Sequence, residues 1–144
     1  MAYSSIIKPQ DYFNTKLYTG NGSTNAQTGV GFQPDMVWIK SRTNNSDHVI
    51  TDAVRGVTKE IRPNKTDYED TASNGLTTFG TDGFTVGDWT VVNLNSETYA
   101  SWNWKANGSG SSNTDGSITS TVSVNTTSGV SIVKYTNQNV NTIG

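Results

Sequence analysis

The chain has 144 residues, of which 32% are apolar, 10% aromatic and 15% charged, with no cysteine and a formal net charge of -2. This suits one domain able to bury a core of its own, and the aromatic share with so little charge excludes a disordered chain. The lack of cysteine excludes disulfides and thiolate metal sites, the few scattered Lys and Arg make no stripe for nucleic acid, and no run reaches the ~18 apolar residues of a membrane helix.

Residues 1–13 read as an N-terminal anchoring arm. Pro9 stops a helix there, and the apolar residues of so short a segment are best buried against another chain. Ile6, Ile7, Tyr12 and Phe13 are therefore the candidate assembly anchor. A strand is predicted over 14–19, ended by the turn-forming Gly20-Asn21-Gly22, and a polar loop is predicted from there to Gly31. Met36 to Lys40 predicts a buried central strand carrying Trp38, and His48 to Thr51 the next one. Over 52–61, Val54, Val57 and Ile61 have helical spacing, but Gly56 weakens a helix; a strand bulged at Gly56 is the expectation. Residues 62–74 are polar and turn-like.

Leu76 to Phe79 and Phe84 to Gly87 flank Thr81-Asp82-Gly83, a hairpin signal of the Asp-Gly type. Asp88 to Ser96 reads as a loop or a short strand pair. Glu97 to Lys105 alternates strictly. Ala100, Trp102 and Trp104 share one face and are expected in the core; Tyr99, Ser101 and Asn103 share the other. Residues 107–117 have the composition of a flexible linker. Beyond them two more strands are predicted, Ile118 to Val124 and Val130 to Tyr135. Short strands with turns between them and no long helix predict an all-β antiparallel sandwich. Tyr135-Thr136 echoes Tyr18-Thr19, so 14–106 reads as one module and 118–144 as a partial second one.

Chemistry-bearing residues are sparse. His48 is the single histidine, with no second histidine or cysteine to join it in a metal site or triad. Asp82, Asp88 and Glu97 are candidates for paired glycosidase carboxylates, although Asp in a turn more often caps or bends the chain. Asp82 and Asp88 with Asn93 or Asn95 match no Ca²⁺-loop spacing. No catalytic residue, metal ligand or cofactor is assigned. A Trp beside Asp and Asn can stack on a sugar while the polar groups grip hydroxyls, so Asp88, Trp89 and Asn93 are the glycan-binding candidates. The plainer role for Trp89 is to plug the end of the sandwich.

Six segments occur together and in order: Leu17-Tyr18-Thr19-Gly20-Asn21-Gly22, Gln33-Pro34-Asp35-Met36-Val37-Trp38-Ile39-Lys40-Ser41-Arg42, Asp52-Ala53-Val54-Arg55-Gly56, Gly75-Leu76-Thr77-Thr78-Phe79, Asp82-Gly83-Phe84 and Tyr99-Ala100-Ser101-Trp102-Asn103-Trp104-Lys105. Over about residues 12–106 they resemble a lectin-like, concanavalin-type sandwich module of tailed-bacteriophage structural proteins, often present in tandem and especially in marine phages. The resemblance implies a jelly-roll-like sandwich, a virion location and a binding role as a tail-fibre or capsid-decoration subunit. Its partners would be other virion proteins, copies of itself and a host-surface glycan. It supplies no ligand site; for Asp52 and Arg55 a buried salt bridge or turn-stabilising pair is the expectation. The chain shows no secretion signal at its start, which fits synthesis in the host cytoplasm. A secreted carbohydrate-binding lectin module and a fragment of a glycan-degrading enzyme are the alternatives.

Overall fold

The computed structural model describes residues 8–136. A 3-10 turn over Pro9–Asp11 leads into β1 (Phe13–Thr19), followed by β2 (Asn25–Thr28), β3 (Met36–Ser41), β4 (Val49–Asp52), β5 (Lys59–Glu60), β6 (Asp70–Thr71), β7 (Leu76–Gly80) and β8 (Gly83–Val86). A one-turn helix, α1 (Thr90–Asn93), precedes β9 (Thr98–Trp104), and β10 (Ser111–Asn113), β11 (Ser120–Asn125) and β12 (Val130–Tyr135) complete the set. The fold is all-β and sandwich-like. A four-stranded antiparallel sheet in the order β1-β9-β3-β4 and a three-stranded sheet in the order β2-β8-β7 share one core. β5 and β6 form a small ribbon, and β10-β11-β12 a separate sheet.

The core lies between the two larger sheets. Tyr18, Val37, Ile39, Val49 and Tyr99 meet Leu76, Phe84 and Val86, and Val92 of α1 closes one end. Tyr18 stacks on Tyr99 with ring centroids 5.0 Å apart and meets Phe84 edge-on at 6.2 Å. Both phenols are satisfied: Tyr18 donates to the Val92 carbonyl at 2.7 Å, and Tyr99 accepts from Leu94 N–H at 2.8 Å while donating to the Thr90 carbonyl. Each can therefore be buried without an orphaned hydroxyl. Their burial raises the pKa of both, and for Tyr18 the neighbouring Tyr99 adds to the effect.

The hairpin of β7 and β8 follows its turn signal. Gly83 takes φ +148° and passes close over the Gln27 carbonyl, where a side chain would collide. Asp82 accepts hydrogen bonds from Gly29 and Gly31 N–H, pinning the preceding loop. Those two bonds, Gly29 first, lower its pKa.

Five expectations are revised. In β9 the alternation is present, but its faces are reversed. Tyr99, Ser101 and Asn103 are 0% exposed, whereas Ala100, Trp102 and Trp104 are half-buried on the outer face. Strict alternation defines two faces and leaves the choice between them to what lies opposite. Here Tyr99 stacks on Tyr18, and the Asn103 side-chain nitrogen donates to the Asn14 carbonyl at 3.1 Å and to the Ser101 hydroxyl, although Asn103 Oδ1 is left without a partner among the described residues. Residues 52–56 form a turn rather than a bulged strand. Asp52 ends β4 and accepts from Val54 and Arg55 N–H, while Gly56 at φ +101° donates to the Asp52 carbonyl.

The loop to Gly31 contains β2, paired with β8. Within 107–117, Ser111–Asn113 is a strand paired with β11, and Asn107 N–H donates to the buried Ser123 hydroxyl, so this stretch is tied to the β10-β11-β12 sheet.

Tyr12 and Phe13 belong to the sandwich rather than to an arm. Phe13 opens β1 opposite Trp104, and the Tyr12 carbonyl accepts from Lys105 N–H. Both are therefore held against their own module, although Phe13 remains 39% exposed. Ile6 and Ile7 lie outside the described residues.

Candidate functional site

The outer face of the four-stranded sheet is the most distinctive surface. The register aligns Phe13, Trp104 and Met36 in one row and Thr15, Trp102, Trp38 and Ile50 in the next; Leu17, Ala100 and Lys40 make a third. Trp38 and Trp102 meet at 6.0 Å with a 60° tilt, and Phe13 leans on Trp104 at 5.1 Å. Trp38 is fixed from its other side, where its indole N–H donates to His48 Nδ1 at 3.0 Å. Trp38, Trp102 and Trp104 line a shallow hollow of about 210 Å³. Next to it on edge strand β1, Leu17 is 61% exposed. The sequence reading placed these tryptophans in the core; the inward turn of Tyr99, Ser101 and Asn103 puts them outside.

His48 is thus a brace for Trp38, and no group of three or more His, Cys, Asp or Glu able to hold a metal occurs among the described residues. The hollow carries little free charge. Lys40 of the third row gives its ammonium to the Ser41 and Asn44 carbonyls. Arg55, beyond the first row, is held by Asp52 at 2.6 Å and by the Ile50 carbonyl. The Asp52–Arg55 pair, with side chains 6% and 11% exposed, is the buried turn clamp that the sequence reading expected.

The Asp88, Trp89 and Asn93 trio does not converge. Asn93 is fully buried at the C-terminal end of α1, where it ties loops together. Its Oδ1 accepts from Asn21 N–H and Asn25 Nδ2, and its Nδ2 donates to the Ser23 and Gly87 carbonyls. It is a structural clip with no capacity left for a ligand, which corrects its place among the glycan candidates. Asp88 is exposed and Trp89 half-buried; they share a hollow of about 400 Å³ with Asn74 and Thr90. Arg62 lies over the Trp89 ring, 5.6 Å from its centroid, and Gly75 packs beneath. Trp89 therefore closes the end of the core, and its ring is largely taken.

The carboxylates considered for catalysis have separate structural settings. Asp82 clasps Gly29 and Gly31, Glu97 accepts from the Thr43 hydroxyl, and Asp88 lies at the Trp89 hollow. Sequence reasoning missed buried Glu60, held by two nitrogens of Arg62, which belongs to the β5–β6 ribbon. The opposite charges of Glu60 and Arg62 two positions apart, at the end of a stretch read as a strand, were the available signal.

No curated protein and no solved structure matches the chain. The model of a family described as a domain of unknown function, DUF7483, matches residues 8–144. The matched range includes the stretch read as a linker and the outer-face residues, and the chain belongs to that family.

Proposed function

We propose that this chain is a non-enzymatic structural and binding module of a tailed-bacteriophage virion, a tail-fibre or capsid-decoration subunit that contacts its partners through the outer face of the β1-β9-β3-β4 sheet. One observation carries the reading: Phe13, Leu17, Trp38, Trp102 and Trp104 share that face instead of the core. Soluble domains rarely leave a contiguous aromatic patch uncovered unless it meets something. Tryptophan at the centre of such a patch is the side chain most often found to dominate binding energy. The sheet beneath is rigid and hydrogen-bonded on both sides of β9, so the patch is pre-organised. The resemblance to phage structural modules supports the virion setting, and repeated display on a particle turns weak single contacts into avidity.

The test is mass spectrometry of purified virions from the phage that encodes the chain. The protein is expected as a stoichiometric component. Its absence from virions, or its recovery only as a secreted product, contradicts the proposal.

A further inference from the structure

The size of the outer face decides what kind of partner it suits. Four strands at ~4.8 Å spacing and seven residues at ~3.4 Å rise span roughly 19 by 24 Å. That is about 450 Å² of flat area, well below the ~800 Å² per partner of a standard protein interface. Alone, the face is too small for a stable dimer. The hollow of about 210 Å³ at its centre has room for one small ring.

The chemistry narrows the ligand further. The hollow is walled by three indoles. A phosphate or nucleotide needs a free cation at the site. Among the described residues none lines the hollow, Lys40 and Arg55 nearby are engaged by carbonyls and by Asp52, and exposed Arg42 lies two rows beyond Trp38, just past the end of β3. A quaternary ammonium gains from aromatic faces. The nearest carboxylate on this face, Asp52, is spent on Arg55, while Lys40 occupies the next row. A sugar ring instead offers an apolar C–H face to stack on indole and hydroxyls along its edge. Groups to meet those hydroxyls are present. The indole N–H groups of Trp102 and Trp104 and the hydroxyl of Thr15, directly opposite Trp102, have no hydrogen-bond partner among the described residues.

Resting on the reading of this face as a contact surface, we propose that the hollow between Trp38, Trp102 and Trp104 is a binding site for one unit of a neutral saccharide. The ring stacks on the indoles, and Thr15, Trp102 and Trp104 meet its hydroxyls. This places the sugar on the sheet face rather than at the Asp88–Trp89 loop. Pre-organisation helps, because Trp38 is braced by His48 and Trp104 by Phe13.

The four tryptophans allow a residue-resolved test. Their indole N–H cross-peaks in a ¹⁵N-labelled chain are assigned by single Trp→Phe variants. The chain is then titrated, at up to tens of millimolar, with cellobiose, maltose, lactose and N,N′-diacetylchitobiose. At least one sugar is expected to shift the Trp38, Trp102 and Trp104 peaks and leave Trp89 in place. Trp102→Ala and Trp104→Ala should each weaken that binding roughly tenfold while circular dichroism shows a folded chain. No shift with any of the four sugars, shifts confined to Trp89, or shifts with tetramethylammonium but no sugar would overturn the proposal. The wider reading fails separately: a protein that binds sugar yet is absent from virions retains this site and loses the virion role. A virion protein blind to all four sugars does the reverse.

Discussion

Replacing Tyr99 and Trp102 in turn separates the two faces of β9. Tyr99 is 0% exposed, stacks on Tyr18 and holds Leu94 N–H and the Thr90 carbonyl through its hydroxyl. Tyr99→Ala removes a fully packed ring, which by analogy with buried Phe→Ala costs about 3–5 kcal/mol. It also strips a partner from two backbone groups, so the upper part of that range applies. Trp102 is larger but only partly buried, and Trp102→Ala forfeits the buried part of its surface without leaving an enclosed cavity, about 2–3 kcal/mol. For a chain of this length, 1 kcal/mol corresponds to roughly 3–5 °C in Tm. Urea titration followed by far-UV circular dichroism, with both variants fitted to a common slope, gives the two values directly. Tyr99→Ala is expected to lower Tm by roughly 12–25 °C, and Trp102→Ala by roughly 6–15 °C. If Trp102→Ala proves as costly as Tyr99→Ala, the faces of β9 are assigned the wrong way round and the outer-surface argument collapses with them.

Other consequences can be measured on the same material. Asn93→Ala leaves two donors and two carbonyls without their partner and should cost about 3 kcal/mol or more by urea titration, whereas Asp88→Ala, on an exposed residue, should stay within roughly 0.5 kcal/mol of the parent. Gly83→Ala places a side chain against the Gln27 carbonyl at a backbone angle disfavoured for L-residues, and a fall in melting temperature larger than that of Gly116→Ala, which meets nothing, checks it. Burial raises the pKa of Tyr18 and Tyr99, so the folded state holds these protons more tightly than the unfolded one. That stabilisation is fully present below the ordinary tyrosine pKa of ~10 and is lost as pH rises through the raised values. Tyrosinate absorbance should therefore show late-ionising phenols that appear together with loss of circular dichroism, and early titration of all tyrosines in a folded chain would refute the burial.

Much of the scaffold was legible because its signals are local. Asp82-Gly83 marked the β7–β8 hairpin, and the run Met36 to Lys40 marked β3. What was lost depends on partners far away in sequence. Alternation in β9 revealed a strand, but the inward choice of Tyr99 over Trp102 rests on Tyr18, eighty-one positions earlier, and on the opposing sheet. A hydrophobicity ranking favours Trp as core, yet a tyrosine whose hydroxyl reaches two backbone groups is just as buriable. β2, Asn-Ala-Gln-Thr, carries little strand propensity beyond Thr28 and exists because β8 offers it a ladder. The turn over 52–56 mimicked helical spacing because its order comes from the Asp52 carboxylate rather than from an apolar stripe. Of the glycan candidates, Asn93 looked available because nothing local to it signals burial; its four hydrogen-bond partners lie mostly some seventy residues earlier.

Whether the outer aromatic face makes the proposed functional contact can be decided on the virion itself. Phage particles carrying Trp102→Ser together with Trp104→Ser test it most directly. The purified double variant is first shown to be folded, and the particles are then assayed for content of the protein and for adsorption to host cells. Incorporation or adsorption is expected to fall by roughly tenfold or more. Particles that contain the variant at parental levels and adsorb at the parental rate would contradict it.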